Sequence, residues 1–339
     1  MRVNKSIKIF FNFFLGPLLG IWLFYSLYHQ IKMQPHLHES IDLIKNMPFG
    51  IQAWMFWSVI ILSFANWGIE ARKWQLMMFQ LQPIKYWIAF KAVLSGVTFS
   101  LNTPNRIGEY GGRILFVKEG SRLKAISLSI AGSICQLAVT LFMGCGGLVY
   151  LIYFSDFSHG LILGLSPLLM KVFLALAIAS SFIVMLFLLK LSWIIQLAEK
   201  IKWLSGIVKY IKVLDNFSSG LLFKLLLLSF FRYLIFVIQY LFLIKVLQVE
   251  TTWNQGFWII SLIFLVMAII PSIAIAELGI RGKFSAALFG LYSANTVGIL
   301  GASFGIWLIN LFIPAFAGSF FIIGHTFFQR RKEWNETNR

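Results

Sequence analysis

Two stretches of this 339-residue chain carry the same charged pattern. The first reads Thr103-Pro104-Asn105-Arg106-Ile107-Gly108-Glu109-Tyr110-Gly111-Gly112-Arg113, and the second Pro271-Ser272-Ile273-Ala274-Ile275-Ala276-Glu277-Leu278-Gly279-Ile280-Arg281. In each, Glu-x-Gly-x-Arg follows a proline by five or six residues. Glutamate and arginine four apart stand on one helix face. Proline stops an incoming helix by removing a donor and clashing with the preceding turn. The helix that restarts offers free amides and a positive dipole end, which suit a phosphate. Arginine adds a planar fork that can grip phosphate through two hydrogen bonds. Arg106 brings a further positive charge without a local acid. The candidate ligand-binding residues are therefore Arg106, Glu109, Arg113, Glu277 and Arg281. Pro104, Gly108, Gly111, Pro271 and Gly279 form the frame that holds them.

A structural alternative stands beside this one. An i,i+4 glutamate–arginine pair can neutralise itself and fasten two segments. Each charge placed at membrane depth costs about 2.5–3.5 kcal/mol on insertion scales, however. A chain with only 12 acids could have used apolar packing instead. Arg232, midway along an apolar run with Gln239 seven residues later, fits either the same cavity or a buried structural partner.

The surroundings of these motifs are apolar. Hydrophobic residues make up 59% of the chain and charged residues 12%, too little charge to cover a soluble globule. The apolar runs are about 20 residues long, enough to cross a ~30 Å hydrocarbon core, and they do not alternate as barrel strands would. The expected fold is an all-α polytopic membrane protein, one domain over residues 1–339. It has about six full spans, near Ile9–Tyr28, Gly50–Glu70, Ala125–Phe154, Pro167–Leu189, Leu221–Leu247 and Gly298–Phe327. Trp54, Trp57, Trp67 and Trp74 read as interfacial anchors. Ile194–Leu214 reads as a basic amphipathic surface helix, with Trp203 and Ile207 as apolar anchors.

The net charge of +17 is unevenly placed. Arg2, Lys5 and Lys8, Arg72, Lys73 and Lys85, Lys118, Arg122 and Lys124, the lysines between 190 and 212, and Arg330, Arg331 and Lys332 fall in alternate gaps. By the positive-inside rule both termini are cytoplasmic. Nothing interleaves these charges with base-stacking aromatics in a soluble groove, so membrane lipids rather than nucleic acid are the expected partners. Lys85 and Lys118 both belong inside, yet an apolar run lies between them. A hairpin entering and leaving by the cytoplasmic face, with its apex near Pro104, removes the conflict. A second hairpin, from near Trp253 to Tyr292 with its apex near Pro271, would enter from outside, although three ordinary spans satisfy the same parity. Glu277 stands 168 residues after Glu109, almost half the chain. The expectation is an inverted repeat with halves near 50–153 and 221–327, and a site at depth where the broken helices meet.

Other chemistries find little support. There is no Walker lysine motif, zinc-ligand spacing or Gly-x-Ser-x-Gly elbow. Cys135 and Cys145 fall in one apolar run, and His36 and His38 in a short loop. No catalytic residue, metal ligand or cofactor is expected.

Pro104-x-Arg-x-Gly108-Glu109 with Arg113, followed by Pro271 and Glu-Leu-Gly279-Ile-Arg281, resembles the flippase-like transmembrane domain of lysylphosphatidylglycerol synthetases. The resemblance covers essentially the whole chain. The second motif departs from the family pattern, which ends Gly-x-Arg-Glu, because Glu277 precedes the glycine and Gly282 follows Arg281. In bifunctional members this domain moves an aminoacylated lipid between leaflets while an attached soluble domain makes it. The polar gaps here leave no room for that soluble domain. The resemblance implies a stand-alone, non-enzymatic flippase-like protein for an anionic, phosphate-bearing lipid in the cytoplasmic membrane. The alternative is a non-transporting partner that presents a lipid-linked sugar or phospholipid to a separate glycosyltransferase or synthase.

Overall fold

The structure, a computed structural model, describes residues 42, 45–101, 103–155, 164–201 and 205–324. The run at Ile9–Tyr28, the histidine pair, Trp203 and both terminal basic clusters lie outside them, as does the Ile207 side chain. The protein is all-helical, with no strand among the described residues. The long helices are α1 (Ala53–Met78), α2 (Tyr86–Ser100), α4 (Arg122–Tyr153), α5 (Pro167–Leu189), α8 (Ser219–Val246), α9 (Trp253–Ile269), α10 (Ala274–Phe289) and α11 (Thr296–Trp307). Short helices α3 (Gly108–Ile114), α6 (Leu191–Glu199) and α7 (Ser205–Ile211) join them.

Among the described residues four helices are long and apolar enough to cross a membrane: Glu119–Tyr153, Pro167–Leu189, Ser219–Val246 and Thr296–Gly324. Even the shortest, 23 residues, measures about 34 Å at 1.5 Å per residue. Along α5, Leu168, Phe182 and Ile183 are 74%, 64% and 65% exposed. Such a continuous apolar face would not persist in water, and hydrocarbon is its natural solvent. This is a multi-pass membrane protein.

α1 is 26 residues long and continues past the expected end at Glu70 to Met78. It is less apolar than the four because its second half carries Asn66, Glu70, Arg72 and Lys73. Trp67 and Trp74 are buried, unlike Trp54 and Trp57, and so correct the expectation of four interfacial anchors. The amphipathic helix expected over Ile194–Leu214 is divided into α6, α7 and a 3₁₀ turn at Lys212–Asn216. α6 buries Leu191 and Ile195 within the protein.

The chain forms two compact units. One comprises Phe64–Gln136, Val184–Arg232 and the residues from Ile309 onward; it holds α2 and α3. It also holds Lys85, Lys118, Arg122, Lys124, Lys190, Lys200, Lys209 and Lys212. The other comprises the residues up to Ser63, Leu137–Ile183 and Tyr233–Leu308, and holds α9 and α10.

Each unit contains one helical hairpin. In the first, α2 and α3 pack together. Their lengths are 15 and 7 residues, about 22 and 10 Å, so neither arm can span the ~30 Å core. In the second, α10 packs against both α9 and α11. The 17 and 16 residues of α9 and α10 give about 25 and 24 Å, at the lower limit of helix lengths that cross the core. The chain between them, around Pro271, is extended.

Candidate functional site

The first hairpin turns where the sequence places its proline. α2 ends at Ser100, and Pro104 opens a 3₁₀ turn that runs to Arg106. Asn105 and Arg106 adopt φ of 51° and 56°, a left-handed backbone that non-glycine residues adopt only at a cost. Thr103 Oγ1 accepts the Gly108 amide at 2.8 Å, and the Ile107 and Tyr110 amides bond to Pro104 and Ile107 carbonyls. The start of α3 is therefore largely satisfied by the protein itself. This corrects the expectation of a phosphate seated on free helix-start amides. The arginines are the better-placed anion binders.

Close approach of α2 and α3 requires glycine at three positions, and a Cβ on the first residue of α3, Gly108, would sit 2.3 Å from the Phe99 carbonyl. A Cβ on Gly96 would sit 2.7 Å from the Glu109 carbonyl, and one on Gly112 would sit 2.4 Å from the Ser95 carbonyl. Gly111, singled out by the repeated spacing, faces open space instead. Its neighbour Gly112 is the one the packing needs.

The close packing delivers Arg113 into a buried charge cluster. Arg113 Nη2 donates to Glu109, four residues before it, and to Glu70 Oε1 on α1 at 2.8 Å. The other Glu70 oxygen takes Lys73 Nζ at 2.8 Å and Arg232 Nη1 at 2.9 Å. Arg232 Nε donates to Asn66 Oδ1 at 2.8 Å, and Asn66 Nδ2 to Asn310 Oδ1 at 3.1 Å. Asn310 lies in a π turn at Leu308–Phe312. The Arg232 guanidinium stands 4.9 Å from the Trp67 ring centre, a cation–π contact that explains why this tryptophan is inside. Trp74 is held there by its indole N–H on Ser129 at 3.0 Å. Lys73 also reaches the Gly132 carbonyl at 3.3 Å and Ser229 Oγ at 3.4 Å.

Three cations, Lys73, Arg113 and Arg232, thus surround two carboxylates, Glu70 and Glu109. The cluster carries one net positive charge with all five ionised. The sequence-predicted residues Glu109, Arg113 and Arg232 belong together, linked through Glu70, and Arg106 lies in the turn that leads into α3. Gln239 does not join them: it lies in the other unit and donates to the Val59 carbonyl at 2.7 Å.

Sequence reasoning missed Glu70, the carboxylate on which the cluster turns. In the sequence it falls at the edge of the expected span Gly50–Glu70. A signal existed, because Asn66, Glu70 and Lys73 fall at i, i+4 and i+7, one face of α1.

The second motif forms its own buried pair. Arg281 donates to Glu277 on α10, and both are under 10% exposed. Ser285 continues the same face and shares a 2.7 Å hydrogen bond with the Tyr240 hydroxyl. Gly279 is buried in this helix, and Pro271 is exposed at the break before it. In both motifs the arginine Nε is buried without a hydrogen-bond partner, although its Nη2 is engaged. Among the described residues no group of three or more His, Cys, Asp or Glu is placed to hold a metal ion.

The chain matches no protein-family model, no curated protein and no solved structure.

Proposed function

We propose that this is a flippase-like protein of the cytoplasmic membrane, which binds an anionic, phosphate-bearing lipid and moves it between leaflets. The observation that carries this reading is the buried cluster of three cations and two carboxylates beside the break of a short helical hairpin. Buried charge is expensive, and a net positive site suits an anionic headgroup whose acyl chains stay in the bilayer. Arg113 and Arg232, with Arg106 nearby, are the headgroup contacts. Glu109 is their counter-charge. Glu277 and Arg281 form the corresponding pair in the other unit. The protein acts without catalysis, cofactor or metal.

The resemblance to the flippase-like domain of lysylphosphatidylglycerol synthetases supports the same reading. So do the short arms of the two hairpins and the gathering of the basic loops in the unit that holds the first hairpin. On this reading six spans and two re-entrant hairpins form an inverted repeat, with both termini cytoplasmic.

A specific observation favours a structural clasp as the second reading: Glu70 is already bonded to three cations. Three variants separate the two. Arg113→Lys keeps the charge but loses the planar fork, so lipid binding should fall at least about tenfold if the fork grips phosphate. Glu109→Gln/Arg113→Gln removes one charge of each sign, and loss of both halves of a buried pair can be nearly neutral for stability. A folded double variant that no longer binds phosphatidylglycerol supports the binding site. A folded double variant that binds normally, or full binding by Arg113→Lys, identifies a clasp.

A further inference from the structure

The two carboxylates on Arg113 are not equivalent. Glu70 is fixed from three sides by Lys73, Arg113 and Arg232, and its side chain is 5% exposed. Glu109 contacts only Arg113 among these cations, and its side chain is 18% exposed. Glu70 projects from the 26-residue α1, whereas Glu109 sits in the first turn of the seven-residue α3. α3 follows directly on the left-handed residues Asn105 and Arg106. Moving Glu109 breaks one ion pair at an accessible edge. Moving Glu70 breaks three buried ion pairs.

We infer that Glu109 is a displaceable stand-in for the ligand: its carboxylate holds the position on Arg113 that the phosphate anion of a lipid headgroup takes, and the two exchange there. This rests on the proposed function and specifies how the site is loaded. The exchange is balanced in charge. A phosphodiester monoanion that replaces the Glu109 carboxylate leaves the cluster's net charge unchanged, while the displaced carboxylate turns to its exposed side. The buried Nε of Arg113, which has no partner, gives the incoming phosphate a donor that Glu109 leaves unused. Return of Glu109 to Arg113 would then expel the headgroup. Glu109 thus both competes with binding and drives release.

The test measures binding and movement separately, on the full chain. Purified wild type, Glu109→Gln and Glu109→Asp are titrated in dodecyl maltoside with fluorescent short-chain phosphatidylglycerol. Unlabelled diacylglycerol and inorganic phosphate serve as competitors. If Glu109 occupies Arg113 about nine-tenths of the time, removing its charge should tighten phosphatidylglycerol binding about tenfold. Aspartate, one carbon shorter, should act in the same direction by less. Competition by inorganic phosphate would show that the phosphate alone is read, and its failure to compete that a lipid headgroup is required. Diacylglycerol should not compete. In proteoliposomes Glu109→Gln should move phosphatidylglycerol more slowly than wild type despite binding it more tightly.

If wild type binds phosphatidylglycerol and Glu109→Gln binds it equally or more weakly, the stand-in role is refuted while the lipid site survives. If neither protein binds any phosphate-bearing probe, the functional reading itself fails. If both Glu109 variants lose the folded state by thermal unfolding, Glu109 is part of a structural clasp and the inference is overturned.

Discussion

At the scale of residues, Glu70 organises the site and Glu109 borders it. The difference makes a stability prediction. Glu70→Gln leaves Lys73, Arg113 and Arg232 without their common counter-charge, and an uncompensated buried charge costs about 3–5 kcal/mol. Thermal unfolding in detergent should show a large fall in midpoint for Glu70→Gln and a small change for Glu109→Gln. Equal effects would mean that the two carboxylates share the structural load. Arg113 and Arg232 were legible in the sequence because a charge inside an apolar run stands out. Glu70 was not, because a charge near the end of a run looks like the place where the membrane stops. Two of its three partners, Arg113 and Arg232, are brought to it by α3 and α8, which sequence spacing on α1 alone cannot show.

At the scale of elements, the hairpin of α2 and α3 depends on backbone contact. A side chain at Gly112 meets the Ser95 carbonyl, whereas one at Gly111 meets nothing within 4 Å. Gly112→Val should therefore destabilise the protein by at least the 1–3 kcal/mol typical of overpacking and abolish lipid binding, while Gly111→Val should preserve both. Thermal unfolding and lipid titration of the two variants check this, and equal tolerance would contradict the packing described. The helix breaks were readable from the sequence, since Pro104 and Pro271 interrupt the apolar runs; at Pro104 the flanking charges also disfavour a single crossing, whereas at Pro271 three ordinary spans satisfy the same parity. The choice of glycine was not. The repeated Glu-x-Gly-x-Arg spacing points to Gly111, but helix rotation turns that position outward and places Gly112 against α2. The single amphipathic helix expected over Ile194–Leu214 failed for a similar reason: its apolar face, at Leu191 and Ile195, packs on the protein and the chain breaks beyond it.

At the scale of the whole molecule, the two hairpins make a topological prediction. Single cysteines at Lys85 and Gly120 flank the first hairpin, and cysteines at Glu250 and Ala294 flank the second. In a background with Cys135 and Cys145 replaced, an impermeant thiol reagent should label the first two only in inverted vesicles. It should label the second two in intact cells. Labelling of all four from one side would contradict hairpins that enter from opposite faces.

Leaflet exchange of fluorescent phosphatidylglycerol in proteoliposomes tests whether the buried arginine cluster carries a lipid. An impermeant quencher reports how fast the inner-leaflet lipid reaches the outer leaflet. Wild type should accelerate exchange well above protein-free liposomes, and folded Glu109→Gln/Arg113→Gln should fall to their rate. Wild type at the protein-free rate, or a double variant as fast as wild type, would contradict the account.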